Sequence, residues 1–102
     1  MTNFYTNYFE DISKYIAKID NDDLISAANI IMDASKNNKK IIIAGNGGSA
    51  AMASHVCVDL VKAAEIRAVN FNEADLITCF ANDYGYENWV MKAIEAYADE
   101  GD

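Results

Sequence analysis

Apolar side chains recur every three to four positions over residues 3–19, at Tyr5, Tyr8, Phe9, Ile12, Tyr15, Ile16 and Ile19. That spacing returns to one side of an α-helix, so the segment predicts an amphipathic helix with a tyrosine-rich face. Tyrosine buries its ring while its hydroxyl still requires a polar partner. Such a face suits either a subunit contact or packing within the chain, and both readings are open. A second stripe, Leu24, Ile25, Ala28, Ile31 and Ala34, predicts another helix running to about Asn37, with Asn21 or Asp22 able to cap it. The polar run Lys36, Asn37, Asn38 and Lys39 ends that pattern.

The period changes at residue 40. Ile41, Ile42 and Ile43 form a β-branched run without alternation, which predicts a strand over residues 40–44 buried on both faces, as in a parallel sheet. A glycine-rich loop follows at once (Gly45, Asn46, Gly47, Gly48, Ser49), and then residues 50–62 show helical spacing at Met52, Val56 and Leu60. Residues 67–71 predict a second strand. Residues 75–80 predict a short helix capped by Asn72 or by the acidic pair Glu73 and Asp75. Asn82, Asp83, Tyr84 and Gly85 read as a turn, because Asn, Asp and Gly tolerate the backbone angles a turn needs. Residues 86–98 predict a last amphipathic helix with Trp89, Val90, Ala93, Ile94 and Tyr97 on its apolar side. The order α-α-β-α-β-α-α argues for an α/β fold around a parallel sheet. Two strands are few for such a sheet, so the domain is expected to be incomplete at residue 102. The closing residues 98–102 read as a turn leading onward.

Composition narrows the class. The chain has 102 residues, 52% of them hydrophobic and 24% charged, which suits one globular domain at most. Its net charge of −8 argues against nonspecific nucleic-acid binding, which needs a cationic surface. It leaves room for an anionic small molecule, because a ring of backbone N–H groups binds phosphate on an acidic protein too. Cys57 and Cys79 have no metal or redox spacing and are expected to be reduced thiols rather than a disulfide. No signal peptide is visible and no apolar run reaches membrane-spanning length, so a cytoplasmic protein without a membrane partner is expected.

Three groups of residues carry candidate chemistry. Gly45, Gly47 and Gly48 stand between a strand and a helix, where glycine lets backbone N–H groups approach a ligand. The helix that follows begins with unpaired N–H groups and the positive end of its dipole, an anion-binding arrangement. Asn46 offers an amide and Ser49 a hydroxyl. The loop is not a P-loop, since no Gly-Lys-Ser/Thr follows, and Ala50 stands where the third glycine of Gly-x-Gly-x-x-Gly would be. The alternative is a plain strand-to-helix turn with Ser49 as its cap. His55 lies one helical turn before Asp59, so the two side chains share a face and suit either a divalent metal or a simple hydrogen bond. Asn82 and Asp83 suit sugar hydroxyls, or a turn held by its own side chains.

These residues together resemble a family. The run Ala44, Gly45, Asn46, Gly47, Gly48, Ser49, Ala50, Ala51, followed by Ser54 and His55, is similar to the first motif of the sugar isomerase (SIS) domain. Phe80, Ala81, Asn82, Asp83, Tyr84, Gly85, Tyr86 and Glu87 are similar to a later motif, most closely that of the sedoheptulose 7-phosphate isomerases, or phosphoheptose isomerases. The resemblance covers nearly the whole chain. It implies an N-terminal helical pair over residues 1–38 that contacts other subunits. It implies that residues 39–102 are the first half of a three-layer, flavodoxin-like parallel-sheet sandwich. The implied reaction converts sedoheptulose 7-phosphate to D-glycero-D-manno-heptose 7-phosphate, for lipopolysaccharide or capsule synthesis. In it Asn46, Gly47, Gly48 and Ser49 line the substrate, and Asn82 and Asp83 contact its hydroxyls. His55 would ligate zinc, and Asp59 stands at the position of the family's acid/base glutamate, as a catalytic and metal-binding residue. A homotetramer is implied. The family's second, Ser-rich loop and its late helix bearing Gln and His lie outside these 102 residues, so turnover by these residues alone is not expected. The other reading of the resemblance is a noncatalytic SIS-type module that binds a phosphosugar or a protein in a regulatory role. A third is a helical oligomerisation segment without a ligand.

Overall fold

A computed structural model of the chain describes residues 2–102. The elements follow in the order α1 (Thr2–Ile16), α2 (Asn21–Lys36), β1 (Ile41–Ile43), α3 (Gly48–Ala63), β2 (Ala68–Asn70), α4 (Ala74–Tyr84), a 3₁₀ turn (Tyr86–Asn88) and α5 (Trp89–Tyr97). The chain divides into two compact units, one ending at Ile30 and the other comprising Ile31–Asp102. No helix among the described residues is long and apolar enough to cross a membrane.

In the first unit, α1 stops at Ile16 rather than continuing to residue 19, because Lys18 and Ile19 bond back three residues to Tyr15 and Ile16 and tighten the chain into turns. Phe4, Tyr5, Tyr8 and Phe9 form a run of ring contacts along the helix with centroids 5.4–6.3 Å apart. Those rings, with Ile12, Tyr15, Ile16 and Ile19, are exposed. The cap of α2 is Asp20, one residue earlier than expected: its carboxylate accepts the Asp22 N–H at 2.8 Å.

The second unit holds the sheet. β1 and β2 run parallel, pairing Ile41 with Ala68, Ile42 with Val69 and Ile43 with Asn70. Alternation along each strand sends Ile42 and Val69 to one face, where they pack on a core of Phe71, Trp89 and Ala93 together with Leu76, Ile77, Phe80 and Val90 from α4 and α5. α3 packs against both strands on the other face and buries Ala53. Helix, sheet and helix thus make the three layers of an α/β sandwich. Every residue of both strands is half-buried. This differs from the full burial that the isoleucine run predicts, because two short strands have too few neighbours to be enclosed.

α4 is longer than its sequence pattern predicts. It runs through Asn82 and Asp83 to Tyr84, so those two residues lie in a helical turn rather than a loop. Its stop is Gly85, at φ +89°, whose N–H bonds the Ala81 carbonyl. At its start Glu73 is the cap, accepting the Leu76 N–H at 3.1 Å.

The last residues turn back onto the beginning of the sheet. Lys40 Nζ contacts Asp102 at 2.6 Å and Asp99 at 2.8 Å, and the Lys40 backbone N–H donates to Asp102 at 3.0 Å. The Asp102 side chain is only 4% exposed. The hydrogen bonds from Lys40 Nζ and from the Asp99 and Lys40 backbone hold its carboxyl well below the ordinary 3.8. A carboxyl that is more acidic folded than unfolded stabilises the fold fully above its unfolded value. That contribution disappears as the pH falls through the folded value. The thermal midpoint is therefore expected to be level between about pH 5 and neutrality and to fall steadily below about pH 4. Asp102→Asn lowers the neutral-pH midpoint and flattens that acid limb. An acid limb unchanged in the variant assigns it to other carboxylates.

Candidate functional site

The loop between β1 and α3 leaves the sheet at the carboxyl end of β1, where ligands bind in open parallel sheets. Gly45 sits against the first turn of α3. A Cβ built on it would lie 2.4 Å from the Ser49 carbonyl carbon and oxygen and 2.6 Å from the Ala50 nitrogen. Only glycine allows that approach. Gly47 has φ +58° and ψ −121°, a conformation closed to ordinary side chains, and occupies the cap position of α3. The helix therefore begins two residues earlier than the hydrophobic pattern predicts, and Ser49 lies inside its first turn rather than at the cap. The Ser49 hydroxyl closes a small ring: it accepts the Asn46 N–H at 2.7 Å and donates to the Asn46 carbonyl at 2.8 Å. The N–H groups of Gly47 and Gly48 have no acceptor among the described residues. Two donors, at the positive end of a 16-residue helix, are thus free for an anion.

Three side chains from outside the loop, with no part in it predicted from the sequence, hold it in place. Asn72, just past β2, accepts the Gly45 N–H at 2.8 Å and donates to the Gly45 carbonyl at 2.6 Å. Its carboxamide does for Gly45 what a neighbouring strand would do. Asn70 supports it, accepting the Asn72 N–H at 2.8 Å and donating to the Ile43 carbonyl at 3.0 Å. Tyr86, immediately after the stop of α4, donates its hydroxyl to Asn46 Oδ1 at 2.7 Å. That bond leaves the Asn46 NH₂ free to donate. It also ties the second sequence motif to the first, across 40 residues of chain. Asn46, Tyr86, Gly45, Ala44, Glu87, Trp89 and Val90 line a cleft of about 340 Å³.

His55 and Asp59 lie on α3, their Nε2 and Oδ2 atoms 3.4 Å apart, with side chains 79% and 59% exposed. An imidazole nitrogen and a carboxylate oxygen on one helical face fit two positions of a tetrahedral zinc site. Among the described residues no third His, Cys, Asp or Glu joins them. The pair begins seven residues beyond Gly48, about 10 Å along the helix at 1.5 Å per residue. Asn82 Nδ2 donates to Asp83 Oδ1 at 3.1 Å, and Asp83 Oδ2 accepts from the Cys79 thiol at 3.7 Å. The Asp83 charge, followed by burial, pushes the Cys79 thiol up from its ordinary value, so this thiol stays protonated at neutral pH. No hydrogen bond joins Asn82 or Asp83 to the loop or to His55 among the described residues; the later motif meets the loop through Tyr86 instead.

Comparison with known proteins places this geometry in context. A family model described as SIS domain matches residues 4–100. A phosphoheptose isomerase of Geotalea uraniireducens is 34% identical over 85 residues, covering 78% of this chain and 45% of the relative. A phosphoheptose isomerase of Fusobacterium nucleatum is 32% identical over 104 residues, covering 96% of this chain and 54% of the relative. The structure of phosphoheptose isomerase GmhA from Neisseria gonorrhoeae superposes with a TM-score of 0.84 at 29% identity, covering 99% of this chain and 56% of that one. The chain spans about half the length of the relatives it matches.

Proposed function

The chain belongs to the SIS domain family, and from that premise we propose that it serves a phosphosugar isomerase that converts sedoheptulose 7-phosphate to D-glycero-D-manno-heptose 7-phosphate. The observation that carries this reading is the pair of unpaired N–H groups at Gly47 and Gly48, held at the start of α3 by a loop that requires glycine at positions 45 and 47. They receive an anionic or strongly polar oxygen of the substrate. The Ser49 hydroxyl adds a donor there once it turns from the Asn46 carbonyl, and the Asn46 NH₂ donates to a sugar hydroxyl. Asn82 and Asp83 take substrate hydroxyls.

Ketose-to-aldose exchange moves one proton between neighbouring carbons and one between their oxygens through an enediol, with no net gain or loss of atoms. A carboxylate can take the carbon-bound proton and return it to the adjacent carbon. Asp59 is the group proposed for this, with His55 Nε2 3.4 Å from its carboxylate. The same two residues would hold zinc, which when bound polarises the substrate carbonyl as a Lewis acid. The family carries glutamate at the position of Asp59. Aspartate is one methylene shorter, which sets its oxygens back by about an ångström, a displacement that can cost about a hundredfold in rate. That difference favours the second reading, a noncatalytic phosphosugar-binding module with a regulatory role. The exposed tyrosine-rich face of α1 supports assembly with further copies, and the family resemblance suggests a homotetramer. A cytoplasmic location accords with a phosphorylated sugar as substrate.

Titration with sedoheptulose 7-phosphate is expected to shift the amide resonances of Gly47 and Gly48, whereas sedoheptulose without its phosphate leaves them in place. An equal response to both sugars, or none to either, removes the phosphate-loop reading. Aldose formation by the product of the whole reading frame, lost in Asp59→Asn, supports the enzyme. Binding without turnover in the presence of zinc supports the regulatory module.

A further inference from the structure

The loop is held by groups that lie outside it and that have no assigned contact with substrate or metal. The Asn72 carboxamide makes two hydrogen bonds to a single residue, Gly45, one to its N–H at 2.8 Å and one to its carbonyl at 2.6 Å. Both are partly buried, where an unmade bond leaves a polar group without water. The direction of Asn72 is fixed in turn. Its backbone N–H is bonded to Asn70 Oδ1 at 2.8 Å, and Asn70 Nδ2 bonds the Ile43 carbonyl at 3.0 Å. A chain of two asparagines therefore runs from the end of β2 across to the end of β1. It continues the pairing of the two strands with side chains, just where the backbone ladder stops at Ile43 and Asn70. One residue further along the loop, the Tyr86 hydroxyl fixes the Asn46 carboxamide at 2.7 Å.

The consequence is local. Ladder pairing past Ile43 would draw the backbone of residues 44–47 on along the sheet. The Asn72 grip instead ends the strand at Gly45 with both of its polar groups satisfied. The chain then turns sharply into α3, and the Gly47 and Gly48 N–H groups are turned outward without an acceptor. A loop fixed before the ligand arrives loses less conformational freedom on binding, so the grip contributes to affinity without touching the ligand.

We infer that Asn72 is a positioning residue of the phosphate loop, acting through Gly45 to present the Gly47 and Gly48 N–H groups, with Tyr86 doing the same for the Asn46 amide. The inference rests on the reading of the loop as an anion site.

The test measures binding of inorganic phosphate and of sedoheptulose 7-phosphate by the full chain, beside the thermal midpoint of each variant. Asn72→Ala is expected to weaken both ligands by about tenfold, the effect of one or two net hydrogen bonds. Asn72→Asp keeps an acceptor for the Gly45 N–H but removes the donor to its carbonyl, and is expected to weaken binding as well. Tyr86→Phe keeps the ring, so it folds even where the asparagine variants do not. It is expected to weaken the phosphosugar severalfold and inorganic phosphate hardly at all, because it frees only the Asn46 amide. Ile77→Val serves as control. It thins the core by one methyl group at a residue that does not line the cleft, so the midpoint falls while affinity holds. Hydrogen exchange gives a second readout: in Asn72→Ala the Gly45 amide exchanges faster while the amides of α5 keep their protection.

If Asn72→Ala binds both ligands as tightly as the parent chain, or loses affinity only in proportion to its midpoint as Ile77→Val then also does, Asn72 is merely structural and the inference fails alone. If Tyr86→Phe weakens both ligands equally, the part assigned to Asn46 orientation fails. If the parent chain binds neither ligand, the phosphate-loop reading and this inference fall together.

Discussion

Gly45→Ala is expected to abolish binding of sedoheptulose 7-phosphate and to destabilise the Ile31–Asp102 unit. The added methyl carbon would meet the Ser49 carbonyl carbon and oxygen at 2.4 Å and the Ala50 nitrogen at 2.6 Å. Those are backbone atoms of a helix, and no side-chain rotation relieves the contact. Either Gly45 moves away from α3, which breaks both of its bonds to Asn72, or the first turn of α3 unwinds, which removes the oriented Gly47 and Gly48 donors. Each route destroys the anion site. Overpacking of this kind costs about 1–3 kcal/mol, and the upper end applies where the obstacle is main chain. Gly48→Ala is the contrasting variant. A Cβ there meets nothing within 4 Å, and its φ is not in the left-handed region. Alanine at the start of a helix is well tolerated, so Gly48→Ala is expected to fold as the parent does and to retain most of its affinity. Amide NMR titration and thermal unfolding of the two variants check this directly. Equal binding by Gly45→Ala and the parent would mean that the close packing of loop on helix is not what presents the donors.

The same residues explain what was legible in the sequence. The strand, glycine loop and helix were readable because their signals are local: three β-branched residues, then glycines, then helical spacing. The His55–Asp59 contact was readable because a separation of four residues on a helix sets it. The reach of Asn72 to Gly45 and of Tyr86 to Asn46 spans 27 and 40 residues, and no periodicity encodes a contact of that range. By its local sequence Asn72 suits a helix cap. Glu73 takes that place because the Asn72 side chain is already committed to Gly45. At Asn82 and Asp83 local preference misled. Both residues favour turns, but Phe80 on the same helix packs into the core, and a single glycine at residue 85 supplies the left-handed geometry that ends it. The isoleucine run signalled a parallel strand correctly and its burial incorrectly. Sequence alternation reports the surfaces a strand is built to meet, whereas burial depends on how many neighbours are present.

The largest loss of stability is expected from Trp89→Ala. Trp89 is 4% exposed and packs in one cluster with Phe71 and Ala93, against Ile42, Val69 and the apolar side of α4. It is the first residue of α5, so it couples that helix to the sheet. Removing an indole from such a site costs about 3–5 kcal/mol, the transfer energy of the ring plus the cavity it leaves. Small domains are stable by about 5–15 kcal/mol, so the variant stands near the threshold of folding. Trp89 also lines the cleft together with Asn46 and Tyr86, so the loss is expected to reach the loop as well as the core. Trp89→Phe retains most of the ring volume and is expected to recover more than half of the stability and the ligand response. Met52→Ala on α3 gives the opposite case: at 69% exposure in this chain it is expected to change stability by no more than about 0.5 kcal/mol. Urea unfolding followed by circular dichroism measures all three without relying on the single tryptophan as a probe. If Trp89→Ala loses no more stability than Met52→Ala, the contact between α5 and the sheet is not where the cohesion of this unit resides. The cleft beside the glycine loop would then have to be supported from the α3 side, through Ala53 and its packing on β1 and β2.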